Sequence, residues 1–293
     1  MELRKYQIEA RDAAWSTLHD YEGPTVVTMP TGSGKSLIIA AIVELAATKH
    51  GGRVLCLCHR KELIRQNAEK IELITGQPCG IYSAGLKRRD TEHDVIVASI
   101  QSVYKRAEEF GKRHLIIVDE AHLISDNDAS MYQRFFAVLN AKLIGLTATP
   151  FRCGTGPIAG KDRMFHSICY EKNVGEMIDA GWLCRLTNKP TMVVDTSDVK
   201  IRGGEFVPSS LELRFASDDI VDTACRQIVE LTADRSSVLI FCAGVEHVYR
   251  VLDKLEQITD RPAGAVTGET PAIERDAILR RFDAGDMRDL VNC

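Results

Sequence analysis

Near its amino terminus the chain reads Thr25-Val-Val-Thr-Met-Pro-Thr-Gly-Ser-Gly-Lys-Ser36. The first five residues are β-branched or apolar and predict a buried strand over Thr25–Met29. The glycines that follow predict a tight loop, and the apolar residues beyond it predict a helix over Ser36–Lys49. A strand, a loop and a helix in this order indicate an α/β fold with a parallel sheet.

The loop between these two elements has the composition of a phosphate-binding site. Its glycines allow backbone N–H groups to surround an anion, and the amino terminus of the following helix adds partial positive charge. The strict pattern for such loops begins with glycine, where this chain has Met29. Lys35 is predicted to reach the β- and γ-phosphates, and the Ser36 hydroxyl to bind Mg²⁺. The predicted cofactor-binding residues of the loop are Thr31, Gly32, Ser33, Gly34, Lys35 and Ser36.

Strands and helices alternate along the rest of the chain. In the first half, further strands are predicted at Val54–Cys58, Val95–Ala98, Leu115–Val118 and Leu143–Leu146, and helices at Tyr6–His19, Glu62–Ile74 and Met131–Leu139. In the second half, strands are predicted at Ser237–Cys242, Ala263–Thr267 and Asp289–Asn292, and helices at Asp218–Leu231, Val245–Glu256 and Pro271–Phe282. These patterns predict two α/β domains, over residues 1–165 and 216–293, joined by a connecting segment over residues 166–215.

The composition is that of an ordinary globular protein. The chain has 293 residues, of which 45% are hydrophobic and 27% charged, and a formal net charge of −4. It therefore lacks an overall positive field, and any nucleic-acid site must be local. Its nine cysteines form no C-x-x-C pair, which argues against a zinc cluster or a disulfide framework. The longest apolar run, Leu37–Ala47, is too short to cross a bilayer, so we expect a cytoplasmic protein without a membrane partner.

A second group of candidate residues follows the predicted strand Leu115–Val118, where the sequence continues Asp119-Glu-Ala-His122. We expect this strand to lie beside the strand of the phosphate loop in the sheet. A carboxylate at its end can hold the water shell of Mg²⁺, and a second carboxylate can orient and deprotonate an attacking water. We therefore assign Asp119 to the metal and Glu120 to the water.

Three motifs, in their order along the chain, resemble a known family. Pro30-Thr-Gly-Ser-Gly-Lys-Ser36, Asp119-Glu-Ala-His122 and Leu146-Thr-Ala-Thr-Pro150 resemble motifs I, II and III of the DEAD/DEAH-box helicases of helicase superfamily 2. Further segments look like the RadD branch of bacterial and phage DNA-repair helicases, namely Leu3–Gln7, Cys58–Leu63, Ala84–Arg89, Ser99–Ser102 and Phe241–His247. The resemblance implies two tandem RecA-like P-loop domains with parallel sheets flanked by helices, the second of them incomplete.

The resemblance also implies an ATP hydrolase with ATP and Mg²⁺ as cofactors. Its catalytic residues would be Lys35, Asp119, Glu120 and His122, and its metal-binding residues Ser36 and Asp119.

Two further pairs of residues match motifs of the family. Arg4 and Gln7 match the segment that reads adenine, and a glutamine amide can pair with both a donor and an acceptor of that base. The alternative for both is an ordinary amphipathic first helix. Thr147 and Thr149 match the motif that couples hydrolysis to movement of the second domain. Substitutions at these threonines are therefore expected to uncouple hydrolysis from movement.

Candidate nucleic-acid contacts lie in loops that follow the predicted strands. Arg60 follows one strand, and Ser99 and Gln101 follow another, at the edge where open α/β sheets bind their ligands. Such side chains can bind backbone phosphates without reading sequence. Solvated loop residues are the alternative for each of them.

Two other stretches are candidates for nucleic-acid contact. Thr267 and Gly268 lie at the end of the predicted strand Ala263–Thr267 and resemble a block of the family that binds backbone phosphates. Lys87-Arg88-Arg89 is a dense basic cluster, although a short charge run is usually a solvated face. The expected partner is single-stranded or branched DNA rather than RNA, with repair or recombination proteins as further partners.

The end of the sequence adds one more expectation. Leu290–Cys293 resembles the beginning of motif V, and no segment matches motif VI, which supplies an arginine finger in this family. Arg275, Arg280 and Arg281 do not match it. Because such arginines contribute about 10³–10⁵ in rate, we expect a truncated chain that alone hydrolyses ATP poorly.

The leading hypothesis is an ATP-dependent DNA helicase or translocase that acts in repair or recombination. One alternative is the motor subunit of a restriction system, which has similar motifs. Another is an ATP-gated clamp that binds nucleic acid without processive unwinding.

Overall fold

The chain divides into two compact units, Met1–Arg185 and Leu186–Cys293. The computed structural model describes residues 2–21, 23–124, 131–152, 156–189, 191–202 and 205–293. Each unit has its own sheet and its own hydrophobic core. Among the described residues, no helix is both long and apolar enough to cross a membrane.

The first unit is built around an eight-stranded sheet. The strands of this unit are β1 (Thr25–Thr28), β2 (Val54–Cys58), β3 (Gly80–Ser83), β4 (Arg88–Arg89), β5 (Val95–Ser99), β6 (Leu115–Asp119), β7 (Lys142–Thr147), β8 (Phe151–Arg152), β9 (Gly156–Pro157) and β10 (Ser167–Glu171). Across the large sheet the order is β10-β1-β7-β6-β2-β5-β3-β4, and all pairs are parallel except β3 with β4. The short strands β8 and β9 form a separate antiparallel pair.

Helices cover both faces of this sheet. They are α1 (Lys5–His19), α2 (Lys35–Val43), α3 (Lys61–Thr75), α4 (Ile100–Val103), α5 (Met131–Leu139) and α6 (Val174–Asp179). Alternate residues of the central strands enter different cores, as a strand buried on both faces requires. Cys56 packs with α1, α2 and α3, whereas Leu55 and Leu57 pack with α4 and α5. The predicted α/β class, a mostly parallel sheet flanked by helices, is confirmed.

Every strand predicted in the first half is present, with bounds that differ by at most one residue at either end. The helix predicted over Ser36–Lys49 is α2, continued by a π-helical segment at Glu44–Lys49. The expectation that β6 lies beside β1 is wrong, because β7 lies between them. Side-chain patterns alone cannot order strands that are all apolar, which is why the sequence did not reveal this arrangement.

The structure contains strands that the sequence analysis did not predict. Among them, β10 pairs with β1 and lies at an edge of the sheet, where its residues are half-buried or exposed. The first unit consequently runs to Arg185 rather than to residue 165. An edge strand has a weak apolar pattern because water covers part of it, so its sequence gave little signal.

The second unit has a three-stranded parallel sheet in the order β13-β15-β14. Its strands are β11 (Ile201–Arg202), β12 (Glu205–Phe206), β13 (Val238–Phe241), β14 (Gly264–Val266) and β15 (Asp289–Asn292), and its helices are α7 (Pro208–Phe215), α8 (Asp218–Leu231), α9 (Val245–Thr259) and α10 (Ala272–Ala284). Val221 and Cys225 of α8 and Val248 of α9 pack against Val291 of β15 to form its core.

Candidate functional site

The predicted phosphate loop connects β1 to α2. Gly32 and Gly34 have φ angles of +84° and +80°, a region that favours glycine. A Cβ atom at Gly34 would lie 2.6 Å from Nε2 of Gln7, so the loop has no room for a side chain there. Lys35 begins α2, and its Nζ donates to the carbonyl oxygens of Met29 at 3.3 Å and Pro30 at 3.4 Å. The ammonium group thus lies against the backbone at the start of the loop.

Residues of α1 hold this loop from one side. Nε2 of the buried Gln7 donates to the carbonyl oxygen of Ser33 at 3.0 Å, and its Oε1 accepts from the backbone N–H of Arg4 at 2.9 Å. The Tyr6 hydroxyl donates to the same Ser33 oxygen at 2.9 Å. The structure therefore places Gln7 as a support of the loop, with protein partners at both ends of its amide.

Asp119 is the last residue of β6, and a side chain from α3 orients it. Its Oδ2 accepts from Nδ2 of Asn67 at 3.0 Å, and its Oδ1 accepts from the backbone N–H of Glu120 at 3.0 Å. Nδ2 of Asn67 also lies 3.2 Å from Sγ of Cys58. Burial, and next the nearby Asp119 charge, raise the pKa of the Cys58 thiol. The Asn67 amide therefore lies between a neutral thiol and the buried carboxylate.

Sequence reasoning missed Asn67, although a signal was present. Asn67 is buried on the same face of α3 as Ile64, Ala68 and Ile71. A polar amide on the apolar face of an amphipathic helix needs a buried hydrogen-bond partner, because an unpaired one is costly. Such a residue is a candidate for positioning a buried functional group.

Glu120 turns the chain sharply at the end of β6. Its φ angle is 54°, a region that residues with a side chain rarely adopt. Strain of this kind is concentrated at functional sites. Asp119 stays buried behind the turn, whereas the Glu120 carboxylate is partly exposed, with Oε2 3.4 Å from Nδ1 of His122.

The end of β7 connects the two groups of candidate residues. The carbonyl oxygen of Thr147 accepts from the backbone N–H of Met29 at 2.9 Å. Its side-chain Oγ1 shares a hydrogen bond of 2.9 Å with Nδ1 of His122 and accepts from the backbone N–H of Thr149 at 3.1 Å. Thr147 is therefore in direct contact with both the start of the phosphate loop and the Asp-Glu-Ala-His segment.

The segment after β2 meets the end of β5, where Ser99 is the last residue of the strand and Gln101 lies in α4 rather than in the expected loop. Oγ of Ser99 donates to Oε1 of Gln101 at 2.6 Å, and Nε2 of Gln101 lies 3.0 Å from Nδ1 of His59. Arg60, the next residue, is exposed at the N-cap of α3. Ser99, Gln101 and His59 are thus hydrogen-bonded in a row at the carboxyl edge of the sheet, and Arg60 follows His59 in the chain. We call these four residues the polar cluster.

The remaining nucleic-acid candidates are separate from this cluster. Arg88 and Arg89 form the exposed edge strand β4, where Arg88 pairs with Asp90. In the second unit, Thr267 is buried and its Oγ1 accepts from the backbone N–H of Glu269 at 3.2 Å. The Thr267 side chain thus closes its own turn, while the neighbouring Gly268 is exposed.

The loop between β1 and α2, together with Asp119 at the end of β6, fits the phosphates of a nucleotide and their metal. The two positive-φ glycines leave a loop open to an anion, and the buried Ser33 hydroxyl has no hydrogen-bond partner among the described residues. Asp119 fits Mg²⁺ because each of its oxygens accepts one hydrogen bond and keeps a further lone pair. Ser36 lies in the first turn of α2, where its hydroxyl is a second oxygen ligand of the kind that Mg²⁺ prefers.

Comparison with known proteins finds a match to a restriction-enzyme family and similarity to helicases. Residues 1–152 match the family described as "Type III restriction enzyme, res subunit". The chain is 28% identical to IRC3 of Saccharomyces cerevisiae, provisionally named an ATP-dependent helicase, over 99% of this chain and 44% of that protein. It is 24% identical to "DNA 3'-5' helicase XPB" of Mycobacterium tuberculosis, over 99% of this chain and 51% of that protein. The chain spans about half the length of these relatives.

Solved structures share the fold. The Type ISP restriction-modification enzyme LlaBIII bound to DNA matches with a TM-score of 0.65 and 16% identity, over 100% of this chain and 24% of that one. The Mycobacterium smegmatis helicase Lhr, bound to single-stranded DNA and AMP-PNP, matches with a TM-score of 0.56 and 20% identity, over 97% of this chain and 39% of that one. At these identities the likeness establishes the fold alone, a mostly parallel sheet flanked by helices.

Proposed function

The chain belongs to the family described as "Type III restriction enzyme, res subunit", and from this premise we propose that it is the motor part of an ATP-dependent DNA helicase or translocase. We assign it to the DEAD/DEAH-box group of helicase superfamily 2. The position of Thr147 carries the proposal, because its backbone contacts the phosphate loop and its side chain contacts His122. A motor needs such a connection between its nucleotide site and the residues that respond to hydrolysis.

The nucleotide site is proposed to bind ATP with Mg²⁺. The backbone N–H groups of residues 31–36 hold the phosphates, and Lys35 moves from its carbonyl partners to the β- and γ-phosphates. Ser36 and Asp119 hold the metal, which neutralises the charge that develops on the transferring phosphate. Glu120 orients the attacking water and accepts its proton, because its carboxylate is partly exposed beyond the buried Asp119.

Hydrolysis is proposed to reach the rest of the protein through Thr147 and His122. Loss of the γ-phosphate changes the contacts of Lys35 and Glu120, and Glu120 lies 3.4 Å from His122. His122 is hydrogen-bonded to Thr147, which in turn is bonded to the loop through Met29. Thr149 follows as the first exposed residue of this connection.

The polar cluster of His59, Arg60, Ser99 and Gln101 is proposed to bind the DNA backbone. Its hydroxyl, amide and guanidinium groups suit phosphates and read no bases. The M. tuberculosis relative is named a DNA helicase, which supports DNA over RNA. The RadD-like segments support single-stranded or branched DNA as substrate and repair or recombination proteins as partners.

Replacing the loop lysine tests the nucleotide site. Lys35→Ala is expected to lower the rate of DNA-stimulated ATP hydrolysis by at least about a hundredfold, since it removes a preorganised charge from the transition state. Isothermal titration with ATP and a coupled hydrolysis assay measure binding and turnover. Lys49→Ala, at an exposed lysine after α2, is the matched control. Wild-type turnover by Lys35→Ala would contradict the assignment of the loop.

The motor of a restriction system is the second candidate, and the family description favours it. A helicase displaces the complementary strand from a forked substrate, whereas a restriction motor translocates on duplex DNA without displacing a strand. A clamp binds DNA in an ATP-dependent manner and does neither. A strand-displacement assay and a triplex-displacement assay, run on the same protein with ATP, separate these three outcomes.

A further inference from the structure

The first unit contains an aromatic cluster next to the phosphate loop that the proposed chemistry leaves without a role. Trp182, beyond the end of α6, packs edge-on against Tyr6 of α1, with ring centroids 5.6 Å apart. The Arg4 guanidinium carbon lies 4.8 Å from the centroid of the Trp182 ring. Trp182 is nevertheless 42% exposed. A large apolar ring kept partly in water is a candidate surface for a flat ligand.

This cluster is tied directly to the loop. The Tyr6 hydroxyl donates to the carbonyl oxygen of Ser33 at 2.9 Å. The neighbour of Trp182, Leu183, lies so close to the loop that a Cβ atom at Gly32 would be 3.1 Å from its Cδ2. The indole is therefore held beside the site proposed for the phosphates, on the side of α1.

A groove of about 240 Å³ opens beside Trp182. Tyr6, Met177 and Ala180 line it together with Trp182. The charged side chains at the groove are two lysines and two glutamates, which pair as Lys5 with Glu9 and Lys172 with Glu176, each at 3.9 Å. A groove with balanced charges and an apolar, aromatic wall suits a neutral heteroaromatic ring better than a phosphate.

We propose that Trp182 is the residue on which the purine base of the bound nucleotide stacks. The proposal rests on the nucleotide site proposed above and adds its base-binding half. Gln7 keeps one N–H and one lone pair after its two protein hydrogen bonds, so stacking on Trp182 would add to the hydrogen bonding that the family resemblance assigns to Gln7. The Arg4 guanidinium lies over the Trp182 ring and holds the indole in place. A purine has a wide π-surface that can stack on an indole, and the expected stabilisation is that of one base–aromatic contact.

The chain has two tryptophans, which makes the proposal directly measurable. Trp15 packs against His50, at 4.8 Å between ring centroids, and replacing it by phenylalanine leaves Trp182 as the one fluorophore of its kind. In this Trp15→Phe variant, ATP is expected to quench the tryptophan emission on binding. Inorganic triphosphate, which carries the phosphates without a base, is expected to bind without quenching it.

Two substitutions of Trp182 complete the test. Trp182→Ala is expected to weaken ATP binding by about tenfold, the order of one lost base stack, and to leave the affinity for inorganic triphosphate unchanged. Trp182→Phe is expected to retain most of the ATP affinity because it keeps an aromatic face. Thermal denaturation confirms that each variant is folded, and the Trp15→Phe fluorescence decides the matter if Trp182→Ala does not fold.

The possible outcomes separate this proposal from the nucleotide site itself. Equal quenching by ATP and triphosphate, or unchanged ATP affinity in folded Trp182→Ala, overturns the stacking role while the phosphate site stands. Loss of both ATP and triphosphate binding in Lys35→Ala is expected if the phosphate site is correct. Binding of neither ligand by the wild-type chain would instead overturn the nucleotide site.

Discussion

Asn67 shows how one side chain can determine the position of a buried carboxylate. Its amide donates to Asp119 from α3, and both residues are buried, at 1% and 6% exposure. Residues that orient a metal ligand typically contribute 10–100-fold to metal affinity or activity. Without this hydrogen bond, the buried Asp119 carboxylate would lose one of its hydrogen-bond donors.

We therefore predict that Asn67→Ala raises the Mg²⁺ concentration needed for half-maximal hydrolysis by about 10–100-fold. It should also lower the free energy of unfolding by about 1–3 kcal/mol, because Asp119 loses a buried donor. Hydrolysis measured against Mg²⁺ concentration, and urea denaturation, report the two effects. Glu69→Ala, on the exposed face of the same helix, is the control. An Asn67→Ala protein with the wild-type Mg²⁺ response would refute the positioning role.

The strand β7 is the element that joins the two halves of the site. It lies between β1 and β6, and its packing leaves no space, since a Cβ atom at Gly145 would be 2.6 Å from that of Ala121. The carboxyl end of β7 consequently brings Thr147 between the phosphate loop and His122. The connection depends on this strand order, because β7 could not contact both β1 and β6 if it lay at the edge of the sheet.

Removing the Thr147 hydroxyl should uncouple the site while preserving the strand. In Thr147→Val the backbone bond to Met29 remains, and the side-chain bonds to His122 and to the backbone N–H of Thr149 are lost. We expect basal hydrolysis to fall little and its stimulation by DNA to fall about tenfold, which corresponds to one hydrogen bond of about 1.4 kcal/mol. Hydrolysis assays with and without DNA measure the ratio. Thr17→Val, which removes a hydroxyl from α1, should keep full stimulation. An unchanged ratio in Thr147→Val would argue against coupling through this strand.

The charge of the whole molecule constrains how it can hold DNA. With 37 basic and 41 acidic residues, the chain has no general attraction for a polyanion, so binding depends on local contacts. Phosphate contacts release counterions, and affinity should therefore fall steeply with salt. The cluster around Arg60 is the place where we expect this dependence to originate.

We predict that Arg60→Ala weakens DNA binding by a similar factor for all sequences and reduces the slope of log K against log salt concentration by about one. Lys112→Ala replaces an exposed lysine that precedes β6, at the opposite edge of the sheet, and should leave the slope unchanged. Fluorescence anisotropy over a salt series measures both variants. Equal slopes for wild type and Arg60→Ala would exclude a phosphate contact by Arg60.

The sequence by itself determined the elements whose signal is local. The phosphate loop is one contiguous run between Thr25 and Ser36, and its conformation depends on the backbone freedom of its own glycines. The central strands were equally readable because burial on both faces makes each of them a continuous apolar run. For the same reason the candidate residues Asp119 and Glu120 stand out in the sequence, at the end of such a run.

Only the tertiary structure decided which of these elements are neighbours. The order that puts β7 between β1 and β6, the bond between Asn67 and Asp119, and the contact of Arg4 with Trp182 all join residues far apart in the chain. Strand order depends on how helices and strands pack together, and the sequences of similar apolar strands do not identify which strands will be neighbours. Edge strand β10 was hidden because partial exposure weakens the apolar pattern. The sequence therefore specifies the chemical groups of the site, and packing specifies which of them meet.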